Sequence, residues 1–107
     1  LDNLDSNLYI TQYADEGSSN FALPLLLKEN IMSEVCRILE EEKVEYRLGT
    51  AGGGNQARQP YLQKFPYKTV GDLNNSNYIH DYGLYIGNHT DLTEEQIINL
   101  CKKLNNV

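Results

Sequence analysis

Residues 49–60, with the sequence GTAGGGNQARQP, combine the residue types best suited to binding a polar ligand. Glycines let backbone N–H groups approach a ligand because no Cβ stands in the way. The amides of Asn55 and Gln59 add side-chain donors, and the guanidinium of Arg58 matches the two oxygens of a phosphate or carboxylate. This glycine-rich loop is therefore predicted to bind a ligand rather than to act as a flexible linker, and a sugar nucleotide would use its donors.

The remaining chemistry-bearing residues are few. The spacing of the glycines fits neither the dinucleotide-binding pattern GxGxxG nor the P-loop, and no Lys-Ser or Lys-Thr pair follows them. His80, beside Asp81, is expected on the surface. For His89, which is flanked by Asn88 and Asp91, a surface position and a binding role are equally compatible with the sequence. The chain contains no CxxC, HExxH or GxSxG motif and no calcium loop. No catalytic residue and no metal site are predicted in it.

The composition excludes two classes of partner. The 107 residues carry a net charge of −6 and lack a dense patch of Lys and Arg, so no nucleic-acid partner is expected. The longest apolar run, residues 21–27, is interrupted by Pro24 and has the length of a strand, so no membrane span is expected. Cys36 and Cys101 fall on the apolar faces of predicted helices, which indicates free thiols in a reducing, cytoplasmic setting.

The beginning of the sequence offers little structure. It has no signal peptide and does not start with Met, which suggests a fragment of a longer protein. Residues 1–18 are predicted to form an irregular lead-in that adds nothing to the core, with a short extended piece at residues 8–10. Residues 19–107 are predicted to form one small domain.

The elements around the glycine-rich loop follow from hydrophobic spacing. Residues 20–28 predict an edge or bulged strand because of Pro24. A helix capped by Asn30 should follow and end near Lys43, and residues 44–48 should form the strand that leads into the loop.

Three further elements complete the predicted fold. Asn74 or Asn75 should cap a short helix that ends at a left-handed Gly83, and residues 83–87 should form a strand. A capping box formed by Thr93 and Gln96 predicts a last helix, whose apolar stripe is Ile97, Leu100, Cys101 and Leu104. The predicted class is α+β, a small mostly antiparallel sheet with helices packed on one face.

The order of these segments resembles the C-terminal domain of the DegT/DnrJ/EryC1/StrS sugar aminotransferases over about residues 18–105. The most specific element is GGNQARQP at residues 53–60, followed by YIGNH at 85–89 and LTEEQI at 92–97. Within the family, the sequence is most similar to the branch of nucleotide-activated 4-keto-6-deoxyhexose 3-dehydrases, which serve dideoxysugar synthesis for lipopolysaccharide.

The resemblance implies the small domain of a fold-type I enzyme that uses pyridoxal phosphate or pyridoxamine phosphate, usually as a homodimer with active sites between subunits. It places the coenzyme contacts, and the Lys or His that distinguishes aminotransferase from dehydrase, in a large N-terminal domain outside this sequence. None of the six lysines lies in a recognisable coenzyme-binding context. The fragment alone is therefore expected to bind no coenzyme and to be inactive.

In the complete enzyme, the glycine-rich loop would close over the nucleotide-activated sugar. The predicted substrate-binding residues are Gly53, Gly54, Asn55, Arg58, Gln59, Asn88 and His89. Two alternatives stay open for Asn55 and Arg58, which could contact the sugar nucleotide or only brace the loop. The turn at Asn88 and His89 could border the same cleft or lie elsewhere. A free-standing ligand-binding module and a purely structural interaction domain are the rival functions.

Overall fold

The computed structural model describes residues 1–12, 16–51 and 54–107. Its centre is a three-stranded antiparallel sheet in the order β1-β3-β2, formed by β1 (Ala22–Leu26), β2 (Tyr46–Leu48) and β3 (Gly83–Gly87). Helices α1 (Met32–Glu41), α2 (Asn74–Tyr82) and α3 (Glu94–Leu104) complete the fold. The predicted α+β class is confirmed.

Strand alternation gives the sheet its apolar face. Leu25 pairs with Leu84 and Leu23 with Ile86, so these four side chains point to the same side of the sheet. Leu25, Leu84 and Ile86 are buried there. Pro24 lies in β1, which is an edge strand as predicted. An edge strand tolerates proline because it pairs with a neighbouring strand on one side only, so the missing N–H need not interrupt the hydrogen bonding of the sheet.

Helix α1 covers this apolar face through Val35, Ile38 and Leu39, which are all buried. The predicted cap by Asn30 is wrong. The helix is preceded by Ile31, which makes no side-chain capping bond. After the helix, Lys43 adopts a left-handed backbone with φ of 58° and turns the chain toward β2.

Helix α2 begins differently from the prediction. Its N-cap is Leu73, which has a left-handed φ of 57° and no capping side chain, while Asp72 Oδ1 accepts a hydrogen bond from the Asn74 N–H at 3.0 Å. The predicted cap by Asn74 or Asn75 is therefore wrong. Gly83 is also not left-handed, because its φ of −103° already belongs to β3. A glycine is required there for space, since a Cβ would lie 2.5 Å from the Ile79 carbonyl oxygen.

Helix α3 begins with the predicted capping box, in which Thr93 Oγ1 accepts from the Gln96 N–H and Gln96 Oε1 accepts from the Thr93 N–H. Cys101 and Leu104 are buried against the core, as the stripe predicted. The prediction that Ile97 belongs to the same buried stripe is wrong, because its side chain is 44% exposed. The first turn of α3 therefore stands away from the core.

The N-terminal residues contribute to the core, contrary to the prediction. Tyr9 is fully buried and forms an isolated antiparallel bridge with Leu27, which agrees with the extended piece predicted at residues 8–10. Its hydroxyl donates to the Leu104 carbonyl oxygen at 2.7 Å, and Leu4 is buried in the same cluster. The sequence concealed this role because the partners of Tyr9 are 18 and 95 residues away.

Both cysteines are free, as predicted: Cys36 is half-buried in α1 and Cys101 is buried in α3. Burial raises the pKa of the Cys101 thiol, so the neutral form is favoured. Among the described residues, no helix combines the length and the apolar character needed to cross a membrane.

Candidate functional site: a loop fastened to a short helix

The glycine-rich loop leaves β2 at Leu48 and packs against the last turn of α2. A 3₁₀ turn at Gly49–Ala51 starts the loop, and a second 3₁₀ turn at Gln56–Arg58 follows. Gly49 is buried so tightly that a Cβ would lie 2.1 Å from the Ile79 carbonyl oxygen. This glycine therefore serves close packing rather than ligand approach. The predicted site residue Gly53 lies outside the described residues.

Asn55 is the buried polar residue of the loop, with 6% of its surface exposed. Its Oδ1 accepts from the Ala57 N–H at 3.0 Å, and its Nδ2 donates to Asn77 Oδ1 at 2.8 Å. Asn55 thereby caps the turn at 56–58 and ties it to α2. In this conformation the side chain braces the loop, which was one of the two predicted alternatives.

His80 is a partner of the loop rather than the surface residue that the sequence suggested. Its Nδ1 accepts a hydrogen bond from the Asn55 N–H at 3.2 Å, and the residue is half-buried. Gly54 permits this approach, because a Cβ at that position would lie 2.7 Å from His80 Nδ1 and 2.7 Å from the Gly49 carbonyl oxygen. The loop residue Gly54 thus has a steric role that no larger residue could fill.

Arg58 and Asp81 form a bidentate ion pair across the outside of the loop. Arg58 Nη1 donates to Asp81 Oδ2 at 3.0 Å and Nη2 donates to Oδ1 at 2.8 Å. These bonds hold the pKa of the Asp81 carboxyl below its usual range. About half of each side chain is exposed, at 43% and 48%. A guanidinium has five N–H donors, so three remain for a ligand.

The rest of the loop closes on itself. Gln59 Nε2 donates to the Thr50 carbonyl oxygen, which joins the two 3₁₀ turns. From the segment that follows, Tyr61 donates its hydroxyl proton to Gln56 Oε1 at 2.6 Å, and Gln63 Nε2 donates to the Ala57 carbonyl oxygen at 2.6 Å. The described part of the loop is therefore tied together by hydrogen bonds among its own residues and the segment that follows.

Asn88 and His89 lie at the far end of β3 from the loop. Gly83, at the start of the strand, neighbours the loop through Ile79 and Gly49, whereas residues 88 and 89 follow the strand's last residue. Five residues of strand separate the two ends by about 14 Å at about 3.4 Å per residue. The chain alone does not bring Asn88 and His89 into one cleft with the predicted binding residues of the glycine-rich loop.

Asn88 has a bracing role at that end. Its N–H donates to the Phe21 carbonyl oxygen at 3.0 Å, and its Nδ2 donates to the Asn20 carbonyl oxygen at 2.8 Å. His89 is exposed. The pair borders a groove of about 880 Å³ between the sheet and α3, and other residues that line it include Leu23, Leu92 and Ile97. Asn55, Arg58 and Gln59 are not part of this groove.

Sequence reasoning missed the residues of α2 that hold the loop. Asn77, His80 and Asp81 are spaced at i, i+3 and i+4, which places them on one helix face. That spacing was a readable signal for a shared polar face. Their partners Asn55 and Arg58 lie 22 to 25 residues earlier, and a single sequence does not pair residues over that distance.

The described residues do not fit a pyridoxal or pyridoxamine phosphate site of their own. A Schiff-base lysine has to be held in an enclosed, partly dry pocket, but all six lysines are exposed. Lys103 pairs with Glu42, and Lys28 donates to the Ser6 carbonyl oxygen at 2.7 Å. Within the described ranges no group of three or more His, Cys, Asp or Glu side chains could hold a metal ion. We assign no step of coenzyme chemistry to this chain.

Comparison with known proteins found two curated relatives of similar sequence. The chain is 36% identical over 86 residues to the lipopolysaccharide biosynthesis protein RfbH of Salmonella typhimurium, and this match covers 78% of the chain and 19% of the relative. It is 32% identical over 99 residues to the GDP-4-keto-6-deoxy-D-mannose 3-dehydratase of Yersinia pseudotuberculosis, covering 89% of the chain and 25% of the relative. No family model matches the chain. It is thus similar to proteins named for lipopolysaccharide biosynthesis and for dehydration of a nucleotide sugar, and it spans about a fifth to a quarter of their length.

Proposed function

We propose that this chain is the C-terminal, substrate-closing domain of a nucleotide-sugar enzyme that depends on pyridoxal or pyridoxamine phosphate. The activity would be that of a 4-keto-6-deoxyhexose 3-dehydrase or a sugar aminotransferase in deoxysugar and lipopolysaccharide biosynthesis. The observation that carries the proposal is the similarity to the two relatives, which extends over most of this chain but over a small part of each relative. That pattern fits one domain of a larger enzyme.

The geometry of the glycine-rich loop supports a substrate-binding role for Arg58. The ion pair with Asp81 uses two of its five donors and holds the guanidinium plane in place. The remaining donors and the exposed part of the side chain suit the oxygens of a nucleotide diphosphate. Bracing and binding are therefore compatible in Arg58, whereas the side chain of Asn55 is already used inside the loop.

The coenzyme would be held by residues outside this chain, and when bound it would act as the electron sink of the reaction. The complete enzyme would be a cytoplasmic homodimer. Asn88 and His89 would contribute from the other end of β3, where they border the groove beside α3. A second subunit or another domain would then have to bridge the two ends of this strand.

The coding sequence upstream of Leu1 gives the cheapest test. The proposal expects a large upstream domain with a Lys or a His at the coenzyme-facing position. A start codon immediately before Leu1, together with saturable binding of a sugar nucleotide by the isolated chain, would instead indicate a free-standing binding module. An upstream domain without either residue would contradict the proposed chemistry.

A second experiment separates substrate contact from bracing in the full-length enzyme. Arg58→Ala removes both the ion pair and the free donors, whereas Asp81→Asn removes the charge partner but keeps the guanidinium. If Arg58 contacts the nucleotide, KM rises more in Arg58→Ala than in Asp81→Asn. Equal increases would indicate that Arg58 only braces the loop. Unchanged kinetics in both variants would favour a purely structural domain.

A further inference from the structure

Helix α2 holds the glycine-rich loop through three neighbouring side chains, and one of them, His80, can accept its hydrogen bond only while its ring is neutral. Asn77 accepts from the Asn55 side chain, His80 accepts from the Asn55 N–H, and Asp81 pairs with Arg58. The His80 bond is the attachment that exists only while Nδ1 is unprotonated. Its acceptor nitrogen must carry a lone pair rather than a proton.

Protonation of His80 would turn this attachment into a repulsion. Both ring nitrogens of an imidazolium are donors, so Nδ1–H would face the Asn55 N–H. Asn55 is 6% exposed, which leaves water little room to replace the lost acceptor. There is also little free space beside the ring, since a Cβ on Gly54 would lie only 2.7 Å from His80 Nδ1. The loop must therefore shift away from α2, or the ring must turn.

A protonated His80 ring would have a possible anionic partner in Asp81. Asp81 follows His80 in the chain, and a positive charge on His80 favours its ionised form. Arg58 competes for that carboxylate from the loop side. Of the described elements packed against α2, the turn at Gly49–Ala51 carries no ionisable side chain and β3 carries only the phenol of Tyr85. The other ionisable groups of α2 are the phenols of Tyr78 and Tyr82.

We propose that His80 is a proton-sensitive latch: in its neutral form it fastens the turn at residues 54–58 to α2 at Asn55, and on protonation this attachment is lost. The latch opens when the ring takes up a second proton, because an imidazolium has no lone pair left to accept the Asn55 N–H. That the latch controls substrate binding by the loop rests on the proposed function. The latch itself is measured without substrate, so either idea can fail while the other survives.

The test is amide hydrogen exchange by NMR on the full chain, expressed as the protection factor of the Asn55 N–H at pH 7.5 and pH 5.5. Protection factors correct for the intrinsic pH dependence of exchange. We expect the factor to fall at least about fivefold at the lower pH in the wild type. The Leu84 N–H in β3 reports whether the whole fold has changed. The ¹⁵N shift of His80 Nδ1 reports whether the ring is protonated, and it should change together with the loss of protection.

Two variants identify the responsible histidine. His80→Gln supplies an uncharged side chain, and its Asn55 protection factor should stay constant within about twofold between the two pH values. His89→Gln changes the other histidine, which is exposed and far from the loop, and should behave as the wild type does. The proposal is overturned if wild-type protection at Asn55 does not change with pH, or if His89→Gln rather than His80→Gln abolishes the change. The wild-type titration decides the matter even if a variant does not fold.

Discussion

The guanidinium of Arg58 and the carboxylate of Asp81 meet through two hydrogen bonds of 3.0 and 2.8 Å although 23 residues separate them in the chain. This pair joins the glycine-rich loop to the last turn of α2 from the solvent side, while Asn55 joins it from the buried side. A loop held at both edges presents its remaining donors in a fixed arrangement. Such pre-organisation lowers the cost of ordering a binding site when a ligand arrives.

Removing the charge of Asp81 should loosen the loop without destabilising the fold. Exposed ion pairs contribute little to the free energy of unfolding because water screens them. We therefore expect Asp81→Asn to leave the melting temperature within error of the wild type, and to lower the ¹H–¹⁵N heteronuclear NOE at Ala57 and Arg58. Glu41→Gln is the matched control, since Glu41 forms an exposed ion pair with Arg37 on α1. An equal NOE decrease in both variants would argue against loop fastening by Asp81.

The Arg58–Asp81 pair should persist well into acid. Because Arg58 lowers the pKa of Asp81, the pair's contribution is complete above the ordinary aspartate pKa of about 3.9 and is lost as the pH falls through the lowered value. The ¹³C shift of the Asp81 carboxyl should therefore titrate below that of a free aspartate. Arg58→Ala should restore an ordinary midpoint. A wild-type midpoint at or above the ordinary value would contradict the ion pair.

The buried hydroxyl of Tyr9 should matter for stability. Tyr9→Phe leaves the Leu104 carbonyl oxygen without its partner, so we expect a loss of about 1–3 kcal/mol in urea unfolding at pH 7. Tyr67→Phe is a suitable control, because that ring is exposed and its hydroxyl makes a long contact of 3.4 Å with the Ala57 carbonyl oxygen. Equal stability of the two variants would show that the Tyr9 bond is not needed.

Ionisation of Tyr9 should also lower the free energy of unfolding at alkaline pH. Burial, with smaller contributions from Cys101 and Asp5, raises the pKa of Tyr9 to about 12. A raised pKa means that the phenol contributes its full stabilisation below its ordinary pKa of about 10 and loses it as the pH rises toward 12. The free energy of unfolding should therefore decline over this range more steeply in the wild type than in Tyr9→Phe. Parallel declines would contradict the assignment.

Gly49 should tolerate no side chain. In Gly49→Ala the new Cβ would lie 2.1 Å from the Ile79 carbonyl oxygen, which belongs to helix backbone and cannot turn aside. We expect a loss of at least about 1–3 kcal/mol in the free energy of unfolding, as for other overpacked sites. Gly87→Ala is the control, because the atoms nearest its Cβ would belong to the ring of the exposed His89, which can move. Similar losses in both variants would contradict the packing of the loop against α2.

Local signals predicted much of the fold. The capping box at Thr93 and Gln96 was readable because its two bonds lie within one turn, and Pro24 marked an edge strand because it has no N–H to donate. The caps predicted at Asn30 and at Asn74 or Asn75 were wrong. Helix α1 follows Ile31, which makes no capping bond, and at the start of α2 the neighbouring Asp72 carboxylate accepts from the Asn74 N–H while Leu73 is left-handed.

The candidate site was only half readable. The glycines, the amides and Arg58 predicted a loop rich in hydrogen-bond donors. The sequence did not reveal that Asn55 would be buried or that His80 and Asp81 would accept hydrogen bonds from the loop. These contacts depend on the packing of Gly49 against α2, which brings together segments that the pattern of each does not relate. The same limitation hid the core position of Tyr9, whose hydrogen-bond partner is near the other end of the chain.

The most direct test of the proposed function is turnover of a nucleotide-activated 4-keto-6-deoxyhexose by the full-length gene product supplied with pyridoxal or pyridoxamine phosphate and an amino donor. We predict conversion of the sugar by the wild type and by Arg37→Ala, whose arginine is exposed on α1 away from the loop. In Arg58→Ala, KM should rise at least about tenfold while kcat changes little, as expected for lost uniform binding. Absence of conversion by a folded, coenzyme-loaded wild type, or identical kinetics in Arg58→Ala and Arg37→Ala, would contradict the account.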